Sequence, residues 1–108
     1  ILSTAHQYNV PVVFVVLNNS MLGMVREGQG DKPFVSSFVE TDHAKIAEAM
    51  GCLGFRVEKH KDLRPALDAA LRSHRPAVVD VVIDKEDRMS RIFSPLGKEA
   101  RARVRFRM

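Results

Sequence analysis

The chain has 108 residues and a mass of 12.1 kDa, enough for one small domain or a part of a larger one. Its 45% hydrophobic and 28% charged residues match an ordinary folded chain and exclude wholesale disorder. The net charge of +4 is uneven: residues 85–108 carry eight Lys/Arg against three Asp/Glu, and residues 1–84 carry nine against ten.

Leu2, Ala5 and Tyr8 are spaced three apart, which predicts a short helix closed by Asn9. Val10 to Leu17 is an eight-residue apolar run rich in β-branched residues, with no polar alternation. It reads as a strand covered on both faces, as a central parallel strand is, with Pro11 at the entry where no N–H is needed. Asn18-Asn19-Ser20 ends the run abruptly. Met21 to Glu27 begins a further helical turn, weakened by Gly23, Gly28 and Gly30. Gln29 to Glu40 reads as a loop whose Phe34, Val35, Phe38 and Val39 are expected to pack on something.

Thr41 or Asp42 caps the next helix, with Ala44, Ile46, Ala47, Ala49 and Met50 as its apolar positions and Gly51 as its stop. Phe55-Arg56-Val57 is a short strand. Lys61 to Arg72 is an amphipathic helix with Leu63, Leu67, Ala70 and Leu71 on one face, ended by Pro76. Ala77 to Ile83 is the third strand, and Asp84 starts a second polar terminus. Strands alternating with helices imply an α/β fold with a partial parallel sheet and flanking helices. Residues 1–84 form the structured part, and residues 85–108 a basic C-terminal tail.

The longest uncharged apolar run is far short of the roughly 18 residues of a membrane span. The chain opens without the basic segment of a secretory leader. The single cysteine, Cys52, makes no internal disulfide and is expected to be a small buried hydrophobe in a reducing, cytoplasmic setting. With no Trp and one Tyr, stacking platforms for nucleic acid are scarce, and nucleic acid is not an expected partner. The four histidines lack ligand spacing and are expected at surfaces or helix ends. Asp80 interrupts the third strand's apolar run; a buried carboxylate needs partners, so it is expected to bond neighbouring backbone or face a helix end.

In an open α/β sheet, ligands bind beyond the carboxyl ends of the strands. Asn18, Asn19 and Ser20 occupy such an end. Amide oxygens are hard donors suited to Mg²⁺, and amide N–H groups hold phosphate oxygens. An ordinary turn is the alternative, since Asn tolerates the left-handed backbone region. The segments Ser3-Thr4-Ala5, Asn9-Val10-Pro11-Val12-Val13, Val15-Val16-Leu17-Asn18-Asn19, Leu22-Gly23-Met24-Val25, Thr41 to Gly51 and Arg75 to Val81, in this order, resemble the cofactor-binding region of thiamine-diphosphate enzymes. The resemblance is to the acetolactate synthase branch, with glyoxylate carboligase and other decarboxylase or lyase members also open.

The resemblance implies a thiamine-diphosphate- and Mg²⁺-dependent lyase or transferase that decarboxylates a 2-oxo acid and ligates the product. It implies cofactor contacts along Asn18, Asn19, Ser20, Met21, Leu22, Gly23 and Met24. Asn19 would ligate Mg²⁺ through its side chain and Met21 through its carbonyl, while Met24 would support the cofactor between its two rings. Members of the family also use a Gly-Asp-Gly triplet ahead of the Asn-Asn pair, and an activating glutamate from another domain; neither is in this chain. Gly28 stands where acetolactate synthases place a tryptophan. The chain is therefore expected to be a fragment, the C-terminal part of an incomplete thiamine-diphosphate-binding fold, weak or silent toward cofactor by itself and homo-oligomeric in its complete form. A reading from another class is a non-catalytic α/β module whose basic tail contacts a partner or nucleic acid.

Overall fold

A computed structural model describes residues 1–86. The element order is α1 (Leu2–Gln7), β1 (Val13–Asn18), α2 (Gly23–Gly28), α3 (His43–Ala49), β2 (Leu53–Val57), α4 (His60–Arg72) and β3 (Ala77–Val82). The three strands form one parallel sheet in the order β1-β3-β2. The α/β class and the alternating order are those expected. The basic tail, from residue 87 on, lies outside the described residues.

Strand β3 is the central strand, buried at every position. Its Ala77, Val79 and Val81 face α4, where they pack with Val57, Ala70, Leu63, Ala66 and Leu67. Val78 faces the other side, against Ala47 and Cys52, with Leu2, Phe14 and Val16 around them. Fully burying a valine such as Val57 or Val79 stabilises the fold by roughly 1.5–3 kcal/mol. Cys52 is the small buried residue expected of it.

Several expectations are corrected. The apolar run is not a central strand covered on both faces. Among the described residues β1 pairs only with β3, and its Val15 and Leu17 are 50% and 58% exposed, because α4 lies over β2 and β3. Pro11 is not the strand's first residue: Val12 N–H bonds the Val10 carbonyl at 2.8 Å, a tight turn that delays the strand to Val13. Phe34, Val35, Phe38 and Val39 do not pack inward; all four are exposed. In α3 only Ala44 and Ala47 are buried. In α4 the inner face is Leu63, Ala66, Leu67 and Ala70, and Leu71, at the stripe's edge, is exposed.

The punctuation follows the sequence more closely. Asn9 takes a left-handed φ of 49° after α1, and Gly51 a φ of 83° after α3. Asp42 caps α3, its side chain accepting from Lys45 N–H at 3.0 Å. Among the described residues no helix is long and apolar enough to cross a membrane.

Candidate functional site

Asn18 is the last residue of β1 and the next three residues turn sharply. Ser20 sits at φ 56°, a left-handed conformation unusual for a side chain other than Gly, Asn or Asp. Such backbone strain clusters where function fixes a shape. Three hydrogen bonds hold it here. Asn18 Oδ1 accepts from Ser20 N–H at 3.1 Å, Asn19 Oδ1 accepts from Met21 N–H at 3.3 Å, and the Ser20 carbonyl accepts from Phe38 N–H at 2.8 Å.

A short antiparallel bridge between Met21 and Ser37 locks the turn to the loop. The bonds flanking it belong to Ser20 and Leu22, whose N–H reaches the Ser36 carbonyl at 2.8 Å. In such a pair the bridged residue's own N–H and C=O point away from its partner strand. The Met21 carbonyl therefore faces the same side of the turn as its N–H, which bonds Asn19 Oδ1.

The two asparagines divide. Asn18 is buried, and its Nδ2 donates to the Thr41 carbonyl at 2.9 Å and to Asp80 Oδ2 at 3.4 Å. Both ends of the Asn18 carboxamide are thus engaged with internal partners, the NH₂ by Thr41 and Asp80 and the oxygen by Ser20 N–H. Asn19 is only partly buried, on the rim. A Cβ placed on Gly23 would sit 3.2 Å from Asn19 Nδ2, so the start of α2 runs close against this carboxamide.

Beside the turn is a cleft of about 210 Å³ that Asn18, Asn19, Ser20 and Met21 line on one side and Phe38, Thr41 and His43 on the other. Of the expected site residues, Leu22, Gly23 and Met24 do not line it. Leu22 is the residue before α2, Gly23 its first residue, and Met24, in its first turn, is 72% exposed.

Behind the cleft lies a buried ionic cluster. Asp80, fully buried on β3, stands in register between Val16 of β1 and Arg56 of β2. Its Oδ2 accepts from Arg56 at 3.0 Å and from His43 N–H at 3.0 Å, the first amide of α3. This is the helix-end partner expected from sequence; it satisfies an amide the helix cannot. Its Oδ1 has no hydrogen bond, and His43 Nδ1 lies 3.4 Å from it. Arg56 also pairs with Glu40 and, at 3.0 Å, with Glu58. Burial pulls the Arg56 guanidinium down, but the Glu58 bond and the charges of Asp80, Asp42 and Glu40 outweigh it and hold it above its ordinary value. Arg56 was not singled out from sequence. The signal was its alternation within a short strand, which no local pattern tied to Asp80, 24 residues away.

The donor set fits a magnesium-bound diphosphate in kind. Asn19 Oδ1 uses one of its two lone pairs on Met21 N–H and keeps the other, and the Met21 carbonyl faces the same side. Both are neutral hard oxygens, which Mg²⁺ combines with phosphate oxygens and water. Among the described residues, no Asp or Glu lines the cleft.

The chain matches the model of the thiamine pyrophosphate enzyme C-terminal TPP binding domain over residues 1–81. It is 33% identical over 107 residues to glyoxylate carboligase of Escherichia coli O157:H7, covering 82% of this chain and 18% of that protein. It is 37% identical over 93 residues to the acetolactate synthase isozyme 3 large subunit of Escherichia coli K12, covering 77% and 16%. The crystal structure of benzoylformate decarboxylase from Polynucleobacter necessarius superposes with a TM-score of 0.70 at 26% identity, covering 79% of this chain and 17% of that one. The chain thus spans less than a fifth of the length of each of these proteins.

Proposed function

We propose, from the premise that this chain belongs to the thiamine pyrophosphate enzyme family and carries its C-terminal TPP binding domain, that its strand-end turn grips the diphosphate end of the cofactor through Mg²⁺. Asn19 Oδ1 and the Met21 carbonyl are the two protein oxygens offered to the ion. Gly23 gives the Asn19 carboxamide room. The observation that carries this reading is the turn itself: a left-handed Ser20, fixed on both sides, holds the two oxygens on one side at the carboxyl end of a parallel strand.

The complete enzyme acts on 2-oxo acids, decarboxylating one and ligating the product, in the manner of an acetolactate synthase or glyoxylate carboligase. Bound thiamine diphosphate supplies the carbanion-stabilising chemistry. The chain's residues bind and orient its diphosphate. This segment is one part of that enzyme: the small share of each relative that it covers and the exposed Val15 and Leu17 on β1 support further protein packing there. The charged ligand that Mg²⁺ also needs comes from that remaining part.

Calorimetric titration tests the reading. The chain alone should show no saturable micromolar binding of thiamine diphosphate with Mg²⁺. The complete enzyme should bind it, and Asn19→Ala should weaken Mg²⁺-dependent binding at least about tenfold. Unchanged binding by Asn19→Ala would refute the assignment of the turn.

A further inference from the structure

The turn is built from behind, by a buried residue that does not line the cleft. Asp80 Oδ2 and the Thr41 carbonyl are both acceptors, and both face one end of the Asn18 carboxamide. Only the NH₂ end satisfies them, so the orientation of the amide is forced. Its oxygen is then left for Ser20 N–H, at 3.1 Å. That bond supports the left-handed Ser20, and the Ser20 conformation in turn sets Asn19 and Met21 side by side.

We infer that Asp80 is a positioning residue for the metal-binding turn, acting through the Asn18 carboxamide as a relay; this rests on the proposed role of Asn19 and Met21. Arg56 and the His43 N–H fix the Asp80 carboxylate from the other side. The carboxylate thus joins three elements, β1, β2 and the start of α3, at one buried atom.

The test is made on the complete enzyme. Mg²⁺ is titrated by calorimetry at saturating thiamine diphosphate, and amide exchange at Ser20 and Met21 is followed in the metal-free protein. Asp80→Asn keeps the shape and removes the charge; Asn18→Ala removes the relay and leaves Asp80 with Arg56 and His43. Each should raise the Mg²⁺ requirement about tenfold to a hundredfold. Each should also speed exchange at Ser20 and Met21, while the KM for the 2-oxo acid moves less than about twofold. The double variant should be no worse than Asn18→Ala, because both act along one relay. Asp42→Ala loosens the same end of α3 without touching Asn18, and should leave the Mg²⁺ requirement unchanged.

If Asp80→Asn does not fold, Asn18→Ala decides. If Asn19→Ala shifts the Mg²⁺ requirement and Asn18→Ala does not, Asp80 is merely structural and the inference is overturned. If Asn19→Ala shifts nothing, the reading of the turn itself fails. Amide exchange at Ser20 and Met21 then judges the relay by itself: unaltered exchange in Asn18→Ala overturns it.

Discussion

Replacing Arg56 with methionine keeps much of the aliphatic stem and removes the guanidinium that neutralises Asp80. The carboxylate is fully buried and Arg56 is only 20% exposed, so little water reaches the pair to take its place. Breaking a buried ion pair by removing one partner destabilises by about 3–5 kcal/mol. Asp80 would retain the His43 N–H and the Asn18 amide, which places the loss at the low end, about 3 kcal/mol. That is a large part of the roughly 5–15 kcal/mol that holds a small domain together. In a domain of this size it lowers the melting midpoint by roughly 12–24 °C. Circular dichroism melts and urea titrations measure it. A cycle with Asp80→Asn should recover part of the loss, since the charge left unpaired is gone.

The pH dependence follows from sign. Arg56 is held above its ordinary value in the fold, so its stabilisation is complete below the ordinary arginine range and lost only as strong alkali strips the proton. The guanidinium is charged at both pH 6 and pH 9, so the Arg56→Met penalty should persist at pH 9. A penalty under about 0.5 kcal/mol, the size of an ordinary surface change, would refute the reasoning, and so would one that vanishes at pH 9.

Two further substitutions test how the helix beside the site is seated. Gly54→Ala places a Cβ 2.7 Å from the Ala44 carbonyl carbon, so α3 must move off the sheet; a loss of about 1–3 kcal/mol or more is expected by urea titration. Asp42→Ala removes the α3 cap and should cost about 1 kcal/mol by the same assay, with no change in secondary structure by circular dichroism.

What was legible in the sequence was whatever depended on neighbours along the chain. Asp42 and Gly51 mark the ends of α3 by local chemistry, capping and a left-handed φ, and both stand where expected. Strands β1 and β3 were found from their β-branched runs, and β2 from the alternation of Phe55-Arg56-Val57. Their order was not, because Val10–Leu17 and Ala77–Ile83 are both valine-rich apolar runs, and only pairing decides which lies in the centre. Of the site, the strand-end asparagines were visible and the ionic cluster only half so. Asp80 betrayed itself as a charge in an apolar run, but Arg56 meets it through sheet register, which no spacing within the sequence encodes.

The adjacent asparagines illustrate how one residue type serves two purposes. Successive side chains of a strand point to opposite faces, so Asn18, on the face of Phe14 and Val16, is carried toward α3. Asn19 falls where the strand has ended and the chain turns. The buried position needs a short side chain that donates at one end, to Asp80 and Thr41, and accepts at the other, from Ser20. Aspartate would set a second acceptor against Asp80, and leucine would leave the Ser20 amide unpaired; the carboxamide meets both demands. At the rim the proposed role sets a different requirement: an oxygen with a lone pair still open beside the one that accepts from Met21 N–H. The same group answers it for another reason. A paired Asn-Asn at a strand end is therefore better evidence of a built site than its frequency in turns suggests, provided that a buried acceptor such as Asp80 lies where the first amide can reach it.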